Sequence, residues 1–578
     1  MPDTVVPTHS AQHHADALNA RAKTFALVTV AMAFIMDLLD TTIVNIAIPS
    51  IQADLGASYS TIQWLIAGYA LTFAVLLITG GRMGDVFGYK KVFMYGVAGF
   101  TVASLLCGLA WNSEVLIIAR LIQGAMAALM VPQVMSVMQI LFKPHERGKV
   151  MGTFGAMAGI AATLGPVVGG ILIHFNIGGL QWRPIFLINV PVGIVSLIMA
   201  TRYLPDGKSP HPLKLDIIGT ILVVIAMSLL VFPLIEGRDL GWPLWIFLLM
   251  AAAIPFLFVF GKWQVIKDRR DHSPLIVPAL LKTRTFVTGL IINITFEAAM
   301  LGFFLPFTLI MQVGLGYEII KAALAGIPTA IGISVTMAVF SQKLIPKLGR
   351  YALTLGTVLM ALGLGVLYFT IHHSGLDTNP FELIPGLLLV GAGMAMIMSP
   401  IFAVVLTDVD SKHAGSASGV LNAVQQLGGA IGVALIGVVF FGQLTAHAAT
   451  SFDSVAPGIR TQLSALHLPA AEQDQIIDGA RACYADRSTQ KDNSATPASC
   501  KQFTPNPAEH VNLTPQQAAA QKQIGTILTT NLKQANTNNF IHGFRSAVTF
   551  ELVILAIVFG LSFLLPRHIR PEAYEQAG

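Results

Sequence analysis

Residues 25–49 read FALVTVAMAFIMDLLDTTIVNIAIP, an apolar run that contains two carboxylates, Asp37 and Asp40. As a helix the run is long enough to cross a bilayer. An ionisable side chain at bilayer depth costs at least ~2.5–3.5 kcal/mol on insertion scales, so it faces a protein interior or an aqueous cavity rather than lipid. The two acids mark this helix as functional and predict further helices around it.

The rest of the chain supplies them. Of 578 residues, 54% are hydrophobic and 11% charged, with mean hydropathy +0.69, against about 25% charged residues in a soluble domain. Runs of roughly 20 apolar residues predict fourteen membrane helices, at 25–49, 62–80, 92–110, 115–141, 150–174, 184–203, 216–235, 243–262, 286–311, 321–342, 352–371, 383–407, 416–443 and 544–565. The expected fold class is an all-α polytopic membrane protein. Lys and Arg gather in the two tails and the even-to-odd loops, and the short opposite loops hold only Arg183, Arg238 and Lys321. The positive-inside rule then places both termini in the cytoplasm. The net charge of +5 thus reports orientation and not nucleic-acid binding. Residues 1–24 form a polar cytoplasmic tail without the apolar core of a signal peptide.

Three further stretches carry chemistry. The turn after the second helix, Gly81-Arg-Met-Gly-Asp85-Val-Phe-Gly88-Tyr-Lys90-Lys91, combines glycines that let backbones approach with an acid and paired cations, and reads either as a charge latch or as a solvated inner loop. The fourth helix holds Arg120, roughly 8 Å from the outer edge, while Asp40 lies roughly 13 Å from it at 1.5 Å per residue. The long Arg side chain can bridge that offset; an architectural ion pair or a snorkelling Arg is the plainer alternative. The fifth helix is dense in small residues, with Gly155, Gly159, Gly165, Pro166, Gly169 and Gly170. Small residues four apart allow close helix packing, and Pro166 predicts a bend.

The run Leu39–Pro49, the Gly81–Lys91 turn, the Arg120 segment, Gly165-Pro166 and the segment Trp182–Gly193 follow one another in an order that resembles the fourteen-helix drug/proton antiporters of the major facilitator superfamily, the EmrB/QacA-like group. The resemblance implies a major facilitator fold with two six-helix halves plus two inserted helices. The N-terminal half is then 25–204, and 205–284 holds the inserted pair and a basic cytoplasmic loop. The C-terminal half is 285–443, completed by the last helix and tail in 544–578. It also implies Asp40 as the proton site with Arg120 as its charge partner, Asp85 with Gly81, Gly88, Lys90 and Lys91 as a conformational latch, and the fifth-helix glycines with Pro166 as a sealing or bending element. Val86 and Tyr89 stand where the family turn has basic residues, so the latch falls to Arg82, Lys90 or Lys91. Pro184 replaces the usual second Trp.

The ninth helix contributes Glu297 near mid-span, on the helix equivalent to the first in the family architecture. With Asp37 it is a candidate cavity acid, and Phe296, Phe303 and Phe304 are candidates for the apolar wall; a core-bonded Glu and plain packing are the alternatives. Residues 444–543 form a large extracytoplasmic connection, with a helix predicted from Thr514 toward Thr530 and another within Ala456–Ala485. Cys483 and Cys500 can pair there in an oxidising compartment, and the connection is a candidate docking surface for a periplasmic adaptor.

No catalytic triad, metal-ligand spacing or nucleotide-binding loop is visible. The reading is therefore not an enzyme, with no cofactor and with a proton gradient as energy source. It is an inner-membrane multidrug exporter working on lipophilic, cationic small molecules by alternating access. The rival readings are an exporter of an amino acid, siderophore or lipid-like metabolite, and a membrane sensor or scaffold using the outer connection.

Overall fold

The structure is a computed structural model that describes residues 20–142, 150, 154, 157, 161, 164–209, 212–340, 345–410, 413–489, 496–503 and 515–567. The N-terminal helices are α1 (Ala20–Leu55), α2 (Tyr59–Phe87), α3 (Tyr89–Gly108), α4 (Ser113–Leu141), α5 (Leu164–His174) and α6 (Pro184–Tyr203). Next come α7 (Ile217–Glu236) and α8 (Leu244–Asp271). The set closes with α9 (Arg284–Leu309), α10 (Ile319–Val339), α11 (Arg350–Ser374), α12 (Ile384–Leu406), α13 (Ala414–Asp453) and α14 (Pro515–Ser562). Each of the fourteen expected spans coincides with one of these helices, the fifth over its described part. An even number of crossings returns the chain to the face it starts from, the termini face; the opposite loop face carries the α13–α14 connection.

Local chemistry sets the helix ends. Ser58, Asn112 and Asp216 cap α2, α4 and α7, accepting from the backbone N–H of Thr61, Val115 and Gly219 and so satisfying groups that the first helical turn leaves open. A single residue, Gly88, separates α2 from α3; its φ of 103° lies where a side chain is strained.

Helices α1, α2, α3, α4 and α6 pack together, as do α9 to α14, and α2 lies along α13 between the halves. The pair α7 and α8 stacks on itself and leans on α2, where Thr79 meets Thr220 at 2.8 Å and the Trp64 indole donates to Glu236 at 2.7 Å. Arg82 fixes the other end of the inserted pair by donating to the carbonyls of Ser273 and Pro274. Hydrogen bonds joining the halves gather toward the loop face. Gln63 donates to the Val433 and Ala434 carbonyls at 3.1 Å, and Gln312 to the Ile46 carbonyl at 3.1 Å. Tyr59 stacks on Phe441 at 4.2 Å.

Residues 444–543 are largely helical. Helix α13 runs on to Asp453, two helices follow at Ala456–Ser464 and Ala470–Thr489, and the helix predicted from Thr514 begins at Pro515 and continues without a break into the last span. The polar stretch from Asn531 to His542 interrupts the apolar pattern yet stays helical, because Thr537 and Asn539 donate to the carbonyls of Gly314 and Leu444. These helices share a small core of Phe452, Val455, Ile459, Leu463, Ile477 and Leu528. Arg481 holds Asp453 through two hydrogen bonds, and Cys483 and Cys500 form a disulfide.

Closing a loop across a sequence separation of 17 stabilises a fold by about 3 kcal/mol. Replacing Cys483 by Ser is expected to speed protease cleavage and hydrogen exchange within Ala470–Thr489 and leave the membrane helices protected. Unchanged exchange there would show that the small core alone holds the domain.

Candidate functional site

The acids of α1 sit in a polar cluster assembled from five helices of the N-terminal half. Asp40 is fully buried. One of its oxygens pairs with the Arg120 guanidinium of α4, and the other accepts from the Gln123 amide at 2.8 Å and from the Asn189 amide of α6 at 3.0 Å. Ser104 on α3 accepts from Gln123 at 2.8 Å and from Asn189 at 3.4 Å, which orients both amides. Arg120 also donates to the Leu65 carbonyl of α2 at 2.9 Å and to the Gln123 side-chain oxygen at 2.6 Å. Both oxygens of Asp40 and the Nε and Nη1 groups of Arg120 are thereby met inside protein. That is the condition for keeping it out of water, since removing one member of such a pair costs 3–5 kcal/mol in typical cases.

Asp37 belongs to the same cluster by another route. It accepts from the Tyr69 hydroxyl at 2.5 Å, and the face of the Tyr69 ring lies 4.3 Å from the Arg120 guanidinium. One tyrosine therefore touches both the second acid and the cation of the first. Asp37 and Asp40 fall on one side of α1 because three residues separate them.

Helix α5 lies against α1 immediately beyond Asp40. A side-chain carbon added at Gly165 would sit 2.0 Å from the Thr42 hydroxyl, and one at Gly169 would sit 2.7 Å from Ile43 and Ile46. On the other side Gly170 leaves room for Ala323 of α10, 2.9 Å from where its side chain would begin. The three glycines thus let α5 wedge between the acid-bearing helix and the C-terminal half. Gly155 and Gly159 lie outside the described residues.

In the α2–α3 turn Asp85 feels the charge of Arg82 and bonds a tyrosine. Asp85 accepts from the Tyr89 hydroxyl at 2.9 Å, while Arg82 is drawn to the loop after α8 and Lys90 donates to the Thr201 carbonyl of α6 at 3.1 Å. Tyr89, standing where the family has a basic residue, keeps a donor at that place. Gly81 lies against Pro132 of α4, and Lys91 is exposed.

In the C-terminal half, Glu297 is buried on α9 and accepts from Gln425 of α13 at 2.7 Å. Phe296 and Phe303 are buried and Phe304 partly so, all in the main apolar core. Sequence reading did not single out Tyr69, Ser104, Gln123 or Asn189 as site residues, although the i, i+3 spacing of Arg120 and Gln123 puts both on one helix face.

A family model described as "Major Facilitator Superfamily" matches residues 30–433, well over half of the chain. The chain belongs to that superfamily. It is 39% identical over 547 residues to a probable actinorhodin transporter of Streptomyces coelicolor, covering 95% of this chain and 92% of the relative. It is 33% identical over 436 residues to the puromycin resistance protein pur8 of Streptomyces alboniger, covering 75% and 84%. Among solved structures, a bacterial homologue of the human lysosomal transporter Spinster aligns with a TM-score of 0.57 at 13% identity, over 96% of this chain and all of that one; at that identity the likeness concerns the fold. As a major facilitator, the chain is a multi-pass membrane transporter of small molecules and not an enzyme.

The α5 contacts give a direct test. Gly165→Ala is expected to destabilise by ~1–3 kcal/mol, the usual cost of overpacking, and Thr42→Ala in the same chain should recover part of that loss by removing the hydroxyl in the way. Thermal unfolding of the two single variants and the double variant in lipid measures the coupling; strict additivity would mean that α5 does not press on Thr42.

Proposed function

We propose that this transporter exports hydrophobic, cationic compounds in exchange for protons, with Asp40 as the group that takes up and releases the proton. The observation that carries the reading is the burial of Asp40 against Arg120, with Gln123 and Asn189 holding its second oxygen. An intramembrane charge pair of this kind marks a transport pathway by default. Relatives named for antibiotic transport and resistance support the outward direction.

In the proposed cycle, protonation of Asp40 removes the negative partner of Arg120. The guanidinium, already over Tyr69, then shifts its attraction toward Asp37 through the Tyr69 hydroxyl. Loosening of α1 from α4 changes the turn Thr41–Ile43, and α5, fitted against that turn and against Ala323 of α10, carries the change to the other half. The bonds from Gln63 and Gln312 between the halves close the loop face in this arrangement. By the distribution of Lys and Arg that face is the outer one and both termini are cytoplasmic. Glu297 and Asp37 serve as acids for the cationic substrate, the Asp85 turn as a latch, and the disulfide-bonded domain in 444–543 as the surface for an adaptor.

The decisive measurement is uptake of a fluorescent lipophilic cation into proteoliposomes under an imposed pH gradient. Wild type should respond to the gradient, and Asp40→Asn should lose that response while still binding the cation. Uptake indifferent to the gradient, or an unaffected Asp40→Asn, overturns the assignment. For sidedness, a cysteine introduced at the exposed Ser464 should react with an impermeant maleimide applied to whole cells; reaction only after lysis would reverse the orientation.

A further inference from the structure

A fourth intramembrane acid remains outside this machinery. Glu551 lies on α14, 1% exposed, and neither carboxyl oxygen has a hydrogen-bond partner. It points into a gap between α14 and α9 lined by Gly302, Phe303, Pro306, Phe544, Ala547 and Val548, with no space for a water molecule. Apolar walls and missing water cannot support a carboxylate anion, and a group so placed neutralises instead.

The opposing helix is shaped to receive an acid. A side-chain carbon at Gly302 would lie 2.8 Å from Glu551 Oε1, so the glycine makes room for the carboxyl. Pro306 has no N–H, which removes the i+4 donor of the Gly302 carbonyl. A neutral carboxylic acid can donate a hydrogen bond to a neighbouring carbonyl, which a carboxylate cannot. Other titratable groups on the elements around α14 are engaged elsewhere. Glu297 on α9 is held by Gln425, Tyr368 stacks on His372 on α11, and His447 on α13 stacks on His542 of α14 itself. Arg350 at the start of α11 donates to the Phe563 and Leu565 carbonyls at the end of the last span, and none of these groups, nor Arg545, lines the gap.

We propose that Glu551 is a second proton-binding site, neutral while α9 rests against α14 and deprotonated when the two helices part. On release the O–H bond breaks, the electron pair stays on the carboxyl oxygen, and the proton passes to water admitted by the separation. Helix α9 carries Glu297 on its α13 side and meets Glu551 on its α14 side, so proton occupancy at Glu551 sets how firmly the Glu297 helix is held. The reading rests on proton exchange as the energy source only for its effect on transport; the acid itself is tested without transport.

The test uses the full-length protein in lipid. Infrared difference spectra at rising pH, and with tetraphenylphosphonium as the probe cation, should show a protonated-carboxyl band that is lost in Glu551→Gln, shifted in Glu551→Asp, and diminished when the probe binds. The aspartate variant carries the assignment should the amide variant not fold. In proteoliposomes Glu551→Gln should lower the protons exchanged per cation by one. A spectrum from which neither variant removes or shifts a band, or a band insensitive to pH and probe together with unchanged stoichiometry, would make Glu551 a static packing group and overturn the proposal. If wild-type transport ignores the pH gradient while the band still titrates, the Asp40 mechanism fails and the Glu551 site stands.

Discussion

A charge pair sealed inside the bilayer is the constraint on which the N-terminal half depends. Neither Asp40 nor Arg120 is tolerable alone at that depth, and together they leave lone pairs and N–H groups that must be met by protein. Four helices answer that demand with Gln123, Asn189, Ser104, Tyr69 and the Leu65 carbonyl. The interior position of α1 follows from electrostatics as much as from apolar packing.

The two halves solve the problem of a buried acid differently. In the N-terminal half a cation balances the charge. In the C-terminal half Glu297 meets a neutral amide and Glu551 only apolar groups.

Much of this was legible in the sequence because membrane burial leaves strong marks. Apolar runs placed the spans, and the depth offset between Asp40 and Arg120 was within the reach of an Arg side chain, as the structure bears out. Tyr69, Gln123 and Asn189 were harder, since a single hydroxyl or amide in an apolar helix gives no sign of its partner until helices cross. Glu551 stands in the last apolar run, where the rule that marks Glu297 applies to it as well. The hydroxyl that Tyr89 gives Asp85 adds to the charge of nearby Arg82 and has no mark in the sequence.

Helix α14 is a single rod of 48 residues, roughly 70 Å long at 1.5 Å per residue, more than twice the ~30 Å hydrocarbon core. Its far end is built into a folded, disulfide-bonded domain and its near end crosses the membrane. With no break along the way, one helix joins the domain to the membrane interior. The outer domain and the buried face that carries Glu551 therefore share a single element of secondary structure.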